Sequence, residues 1–390
     1  LKPAAEISTV LIKIGTLSVC LAALATPLST SLLGLFSIIA FLAWVLGGGL
    51  IKLPGVFRAN PSTAAALGLF LLLLAAIAYS PAHPSEAFAV LKKYRELAML
   101  PVVFCLLSSS ARYRALAVSC FLAGCILLMI LSYMMFFDLL PGGRYGHSLV
   151  FHITHSFFMA VLSYWSLHNA MIPGTKRYFW AVVAFLSTVN IFYIAPGRTG
   201  MFVFCCLMLL FLYQQLSFRK WIASILVFCA LLAGAFYTSD NFSGRIREAV
   251  AEIQKYTPGE SKTSVGQRFD WWQTSIALIR EKPVLGHGTG SYRMLHQTAT
   301  QNTRITATDN PHNEFLFIAV QTGLIGLALF ISLAVLQLFE ARKVANPERY
   351  LFQGVLLALL AGSLMNSLLF DSQQGHCYLF MSAALLAGRN

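Results

Sequence analysis

Residues 308–339 read TDNPHNEFLFIAVQTGLIGLALFISLAVLQLF, and this stretch decides the fold. Its second part, from about 314 to 338, is an apolar run. About 20 such residues suffice for a helix to cross roughly 30 Å of hydrocarbon. Asp309, His312 and Glu314 crowd the start of that run, where ionisable groups are expensive. Either they mark where the membrane begins, or they do chemistry at its face.

Comparable apolar runs recur along the whole chain. Of its 390 residues 57% are hydrophobic and only 11% charged, with a mean hydropathy of +0.70. Ordinary soluble domains carry about 25% charged residues. The reading is an all-α polytopic membrane protein, because barrel strands of about ten alternating residues do not describe these runs. About twelve spans are expected, near 8–26, 32–52, 64–80, 96–110, 114–137, 149–169, 178–195, 200–217, 220–237, 314–338, 350–370 and 374–388. The division is thus nine transmembrane helices in 1–237, a polar helical loop in 238–312, and three more helices in 313–390. The first run reads as a retained span, since Lys13 interrupts it and its basic flank is only Lys2. All eight cysteines fall inside apolar runs, which excludes a disulfide framework or a cysteine metal site.

Lys and Arg in short loops set the orientation. With the N-terminus inside, the inner loops hold Lys52, Arg58, Arg112, Arg114, Lys176, Arg177, Arg219, Lys220, Arg342, Lys343 and Arg349. The short outer loops hold only Lys92, Lys93, Arg95, Arg144 and Arg198, so the long polar loop lies outside. That loop is folded. SVGQRFDWWQTSIALIREKP (264–283) opens with a capping-box pattern, Ser264 to Gln267, and repeats apolar residues at helical spacing. GRIREAVAEIQKY (244–256) and SYRMLHQTA (291–299) read as a second and a third helix.

Two short outer loops, PGGRYG (141–146) and APGRTG (195–200), set Arg144 and Arg198 among glycines. Glycine lets a backbone approach an anion, and arginine adds a planar donor fork suited to phosphate. The bland alternative is snorkelling to lipid headgroups. Arg268 stands beside Asp270, Trp271 and Trp272. It is either a surface ion pair between interfacial tryptophans, or a phosphate ligand with an indole stacked on a sugar. GHGTGSY (286–292) lacks the βαβ context of a nucleotide loop and reads as a tight turn between loop helices. His147, His152 and His155 have no acidic or cysteine partner nearby, so a polar cavity lining is favoured over a metal site. His312, with an ordinary value near 6.5, is the best group for proton transfer, although Pro311, Asn313 and Glu314 equally suit a helix start. Asp371, in LFDSQQGH, lies at another outer loop.

The turn KPVLGHGTGSY (282–292) and the junction DNPHNEFLFIAVQTGLIG (309–326) resemble those of the bacterial O-antigen ligases. Their superfamily also holds O-antigen polymerases and protein O-oligosaccharyltransferases. The similarity covers about residues 195 to 330, and the earlier spans match only in number and hydrophobicity. The resemblance implies a GT-C-like enzyme of about twelve transmembrane helices with a helical periplasmic loop. Such an enzyme moves a glycan from undecaprenyl diphosphate to a sugar hydroxyl of lipid A–core at the periplasmic face of the inner membrane. It also implies that Arg198 and Arg268 bind the donor diphosphate while His312 takes the acceptor's proton, giving inversion without a metal or cofactor. Asp371, Arg144, Asn313, Trp271 and Trp272 stand as supporting candidates. Expected partners are the lipid-linked donor, the lipid A–core acceptor and membrane lipids, with no nucleic acid. A polymerase or a protein glycosyltransferase would change only the acceptor. A lipid-linked glycan flippase predicts charges near the bilayer midplane, where Lys13 is the only obvious one.

Overall fold

The computed structural model describes residues 2–260 and 262–388, whose named elements are all helices. Before the loop come α1 (Lys2–Ala25), α2 (Thr30–Leu46), α3 (Leu53–Ala59), α4 (Pro61–Ala75), α5 (Pro84–Lys93) and α6 (Arg95–Ser108). There follow α7 (Ala111–Phe136), α8 (His152–Met171), α9 (Lys176–Val189), α10 (Arg198–Gln215) and α11 (Phe218–Thr238). The polar loop folds as α12 (Asp240–Gln254), α13 (Ser264–Glu281) and α14 (Tyr292–Thr300). The chain closes with α15 (Glu314–Ala341), α16 (Glu348–Gly362) and α17 (Ser372–Leu386).

Each of the expected apolar stretches overlaps a helix, although 350–370 runs past the end of α16 at Gly362, and a count of twelve crossings does not follow. Seven helices are long and apolar enough to cross a membrane, or eight if α2 and the segment bent 81° from it form one broken span. The exceptions are α6, α16 and α17, which are shorter than 18 residues, and α8, which is not apolar enough. With 15 residues each, α16 and α17 are only about 22 Å long at 1.5 Å per residue. Every residue of α17 from Gln373 to Leu386 is buried, so it packs against protein on all sides. α8 is long enough, but it turns His155, Ser156, Ser163, Ser166 and His168 into the bundle and loses hydropathy to them. The outermost helix, α11, has no buried residue at all.

The loop helices cap one face of the bundle. α12 packs on α13 and on the π-turn Asn190–Ile194 that ends α9, while α13 packs on α15. The N-cap of α13 is Thr263, one residue before the expected Ser264, and its hydroxyl accepts from the Gly266 N–H.

GHGTGSY is more than a connecting turn. α15 breaks at Gly323 (φ 64°, ψ −163°), a conformation open essentially to glycine alone. The turn docks on that break: the N–H groups of His287 and Gly288 donate to Val320 O and Gln321 O, each at 2.8 Å. Leu324 N–H returns a 2.8 Å bond to Pro283 O. Inside a membrane protein every freed backbone group needs such a partner. A Cβ at Gly288, Gly290 or Gly323 would run into the backbone of Ser80, Ala87 or Val284 respectively. The glycine spacing therefore serves close packing of backbone on backbone.

Candidate functional site

Beneath the cap, α8, α10, α12 and α13 enclose a cavity of about 110 Å³ lined by His152, Pro196, Arg198, Thr199, Arg245, Glu248, Ser264 and Arg268, with Ile153. Arg198 opens α10 and Arg268 stands in the first turns of α13. Gly197 and Gly200 serve close packing. A Cβ at either would strike Ser156, so they let α8 press against the start of α10.

The two cavity arginines differ in their partners. Arg198 grips Glu252 through both terminal nitrogens, at 3.2 and 3.1 Å, and reaches Glu248 at 2.8 Å. Its Nε is buried with no partner. Burial pushes the Glu252 carboxyl up, but the Arg198 hydrogen bonds and the Val265 N–H at 2.8 Å outweigh it and hold the group below its ordinary range. Arg268, by contrast, makes no hydrogen bond or ion pair to any described residue. Burial lowers its pKa and the neighbouring charge of Arg198 lowers it further, against the opposing pull of Glu252. Arg198, Arg245 and Arg268 face Glu248 and Glu252, so one positive charge is in excess. An anion entering here would find a fork that no carboxylate occupies.

His312 sits on the segment that leads into α15, with a positive φ of 53°. Such a backbone costs about 1–2 kcal/mol for a residue with a Cβ. Local bonds hold it there. His312 N–H donates to Asn310 Oδ1 at 2.8 Å, and Ser367 Oγ donates to the same oxygen at 2.7 Å. The imidazole stacks on Trp271 with centroids 5.3 Å apart, and Trp272 Nε1 donates to Pro311 O at 2.9 Å. Asn366 links the ring to the cavity wall: its Nδ2 donates to Thr199 Oγ1 at 2.8 Å, which turns Oδ1 toward His312 Nδ1 at 3.0 Å. Nδ1 must then carry the proton, and Nε2 keeps its lone pair. Burial lowers the His312 pKa below 6.5, and Arg268 adds to that; the Asn366 bond and Asp309 oppose it. Arg198 and Arg268 thus share one cavity, and His312, outside its lining, is linked to its wall through Asn366 and Thr199.

The other candidates stand apart from an anion site. Trp271 is buried, donates to Thr306 O at 2.8 Å and stacks on His312, so its face is not open to a sugar. Asp270 pairs with Tyr256 OH and Gly259 N–H, at 2.8 and 2.9 Å, and not with Arg268. Asn313 caps α15, accepting from Leu316 N–H at 3.1 Å. The Glu314 carboxylate takes Tyr94 OH and two backbone N–H groups, from Leu369 and Phe370, which fastens α15 to the chain after α16. Asp371 faces Lys93 rather than an arginine, and burial raises it to about 6 against the pull of that cation. Arg144 is exposed on a tight turn, its guanidinium 5.6 Å from the Tyr145 ring. His155 bonds Asn190 at 2.7 Å, His147 faces Ile194 O, and only His152 lines the cavity. Among the described residues no group of three His, Cys, Asp or Glu side chains is placed to hold a metal.

Sequence reasoning missed Glu248 and Glu252. Their spacing of four on an amphipathic helix was the available signal, because it puts both carboxylates on one face. Asn366 carried no signal, since it reaches His312 only through the tertiary fold.

Comparison with known proteins bears on the same region. Residues 181–331, which hold Arg198, Arg268 and His312 but not Asn366 or Asp371, match the family described as O-antigen ligase. An uncharacterized protein of Haemophilus influenzae (strain ATCC 51907 / DSM 11121 / KW20 / Rd) is 27% identical over 147 residues. That match covers 36% of this chain and 37% of the relative. Residues 181–331 of this multi-pass membrane protein are thus similar to the O-antigen ligase family.

Proposed function

We propose that the chain is a glycosyltransferase that moves O-antigen glycan from undecaprenyl diphosphate to a sugar hydroxyl of lipid A–core. The reaction takes place at the periplasmic face of the inner membrane. The observation that carries this reading is Arg268, a half-buried cation without a partner among the described residues, in one cavity with Arg198 and linked to His312. The donor diphosphate lies against Arg268 and the Arg198 nitrogen that Glu248 now holds. Glu248, half exposed, is the carboxylate it displaces, while Glu252 stays, tied to the Val265 amide. As the acceptor oxygen bonds to the anomeric carbon, its proton passes to His312 Nε2. The bond from that carbon to the phosphate oxygen breaks, and its electron pair leaves with undecaprenyl diphosphate. Attack opposite the leaving group inverts the anomeric centre. The arginines stabilise the charge that builds on the leaving group, and their fixed positions need no reorganisation. Because Asn366 holds the proton on Nδ1, Nε2 is in its basic form when the acceptor arrives.

The test combines purified protein, glycan on undecaprenyl diphosphate, and lipid A–core, with and without a chelator. Product that survives chelation and vanishes in His312→Ala is the expected result. Full activity of that variant removes the base role. Transfer only to peptide, or only to another glycan, moves the assignment to the protein-modifying or polymerase branch. Movement of the donor across a bilayer without transfer makes the protein a flippase.

A further inference from the structure

The face opposite the cap, which the Lys/Arg bias reads as cytoplasmic, carries two hollows that share Asn169 and Trp180. The first, about 380 Å³, lies against the connection between α8 and α9 with its Lys176 and Arg177. The second, about 570 Å³, lies between the start of α7, the connection from α15 to α16, and the end of α17. It holds Arg114 and Lys343, and Glu348 is the one acid in either lining. Four cations therefore face one carboxylate. The Arg114 guanidinium meets only backbone carbonyls, Leu107 O and Ser108 O at 3.5 Å, so no described acid neutralises it.

The larger hollow changes character with depth. Lys343 is exposed and Arg114 half-buried, whereas Leu122, Leu385 and Trp165 are buried. Arg114, Val118 and Leu122 follow each other at steps of four along α7, one face of a helix. Eight residues at 1.5 Å each make an apolar wall about 12 Å long running inward from the cation. Trp165 and Trp180 flank it, the residue type that favours membrane interfaces. A free anion would use the cations and have no need of that wall. A zwitterionic lipid would bring its own ammonium to an already cationic rim.

We propose that this groove binds an anionic phospholipid of the inner leaflet. Its phosphodiester lies between Arg114 and Lys343, with an acyl chain along Val118 and Leu122 of α7. Basic hollows between helices on this side of a membrane suit such headgroups. The site is distinct from the cavity under the cap and does not depend on the glycan-transfer reading.

Native mass spectrometry of delipidated full-length protein, titrated with phosphatidylglycerol, phosphatidylethanolamine or inorganic phosphate, tests it. The expected result is phosphatidylglycerol binding at least about tenfold tighter than phosphatidylethanolamine, without competition from phosphate. Each cation at an anionic surface contributes about fivefold, so Arg114→Gln with Lys343→Gln should weaken binding about 25-fold. Arg114→Lys with Lys343→Arg should keep most of it. In unaltered protein, phosphatidylglycerol with a photoreactive acyl chain should label the start of α7 or the end of α17. Equal binding of the two lipids, displacement by phosphate, unchanged binding in the double glutamine variant, or labelling confined to other helices would each overturn the proposal.

Discussion

Arg268→Met is the substitution in which catalysis and stability should move in opposite directions. Methionine keeps most of the length of the side chain and removes the charge. Because Arg268 makes no hydrogen bond or ion pair to a described residue, its loss strands no buried group. It also relieves the burial of an unpaired cation beside Arg198, the two causes that lower the Arg268 pKa. The fold should be unchanged or more stable, by at most about 1 kcal/mol. Donor binding should suffer, since a charged hydrogen bond contributes about 1.5–3 kcal/mol, or roughly tenfold to 150-fold in affinity. The assay is paired: the Kd for undecaprenyl diphosphate and the thermal midpoint, both in the same detergent. A weaker Kd with an unchanged or raised midpoint is expected. A midpoint several degrees lower with an unchanged Kd would make Arg268 a structural residue and refute the reasoning.

Arg198→Met should behave differently, because it leaves Glu252, with a side chain only 10% exposed, without its cation. A loss of about 1–3 kcal/mol in stability should accompany weaker donor binding, and unchanged thermal unfolding would contradict the pairing. The pH profile of kcat/KM should report His312. As a base it must be neutral, and burial lowers its pKa, so the acid limb should fall below pH 6.5. The same shift gives stability that is complete above pH 6.5 and lost as pH falls through the folded value. Asn366→Asp puts a carboxylate where an amide oxygen now lies 3.0 Å from Nδ1, and should move the acid limb upward; an unmoved limb would dissociate Asn366 from the base. Gly323→Ala should cost about 2 kcal/mol or more in thermal unfolding, from its positive φ and from overlap with Val284; a neutral result would mean that the docked turn can yield.

What was legible in the sequence follows the range of the interactions. Apolar runs are local, so each expected span overlaps a helix, and GRIREAVAEIQKY and SYRMLHQTA overlap α12 and α14. The extent of the last helices was not legible: the apolar runs expected to span at 350–370 and 374–388 give helices of only 15 residues, buried by the bundle around them. That the glycines of APGRTG also make room for Ser156 was not legible, because it is a contact between distant segments. The broken α15 was equally hidden: Gly323 stands in an apolar run like many others, and only the docked turn shows why it must be glycine. Arg198, Arg268 and His312 could be chosen for their chemistry, yet the unpaired state of Arg268 and the path through Asn366 and Thr199 required the fold.

The central claim is that the cavity under the cap receives a lipid-linked diphosphate. A structure of the protein with undecaprenyl diphosphate bound tests it most directly. The account predicts phosphate oxygens within about 3 Å of the Arg268 and Arg198 guanidinium groups, with Glu248 displaced. A diphosphate bound elsewhere, with Arg268 still unpaired and Glu248 still on Arg198, would contradict it.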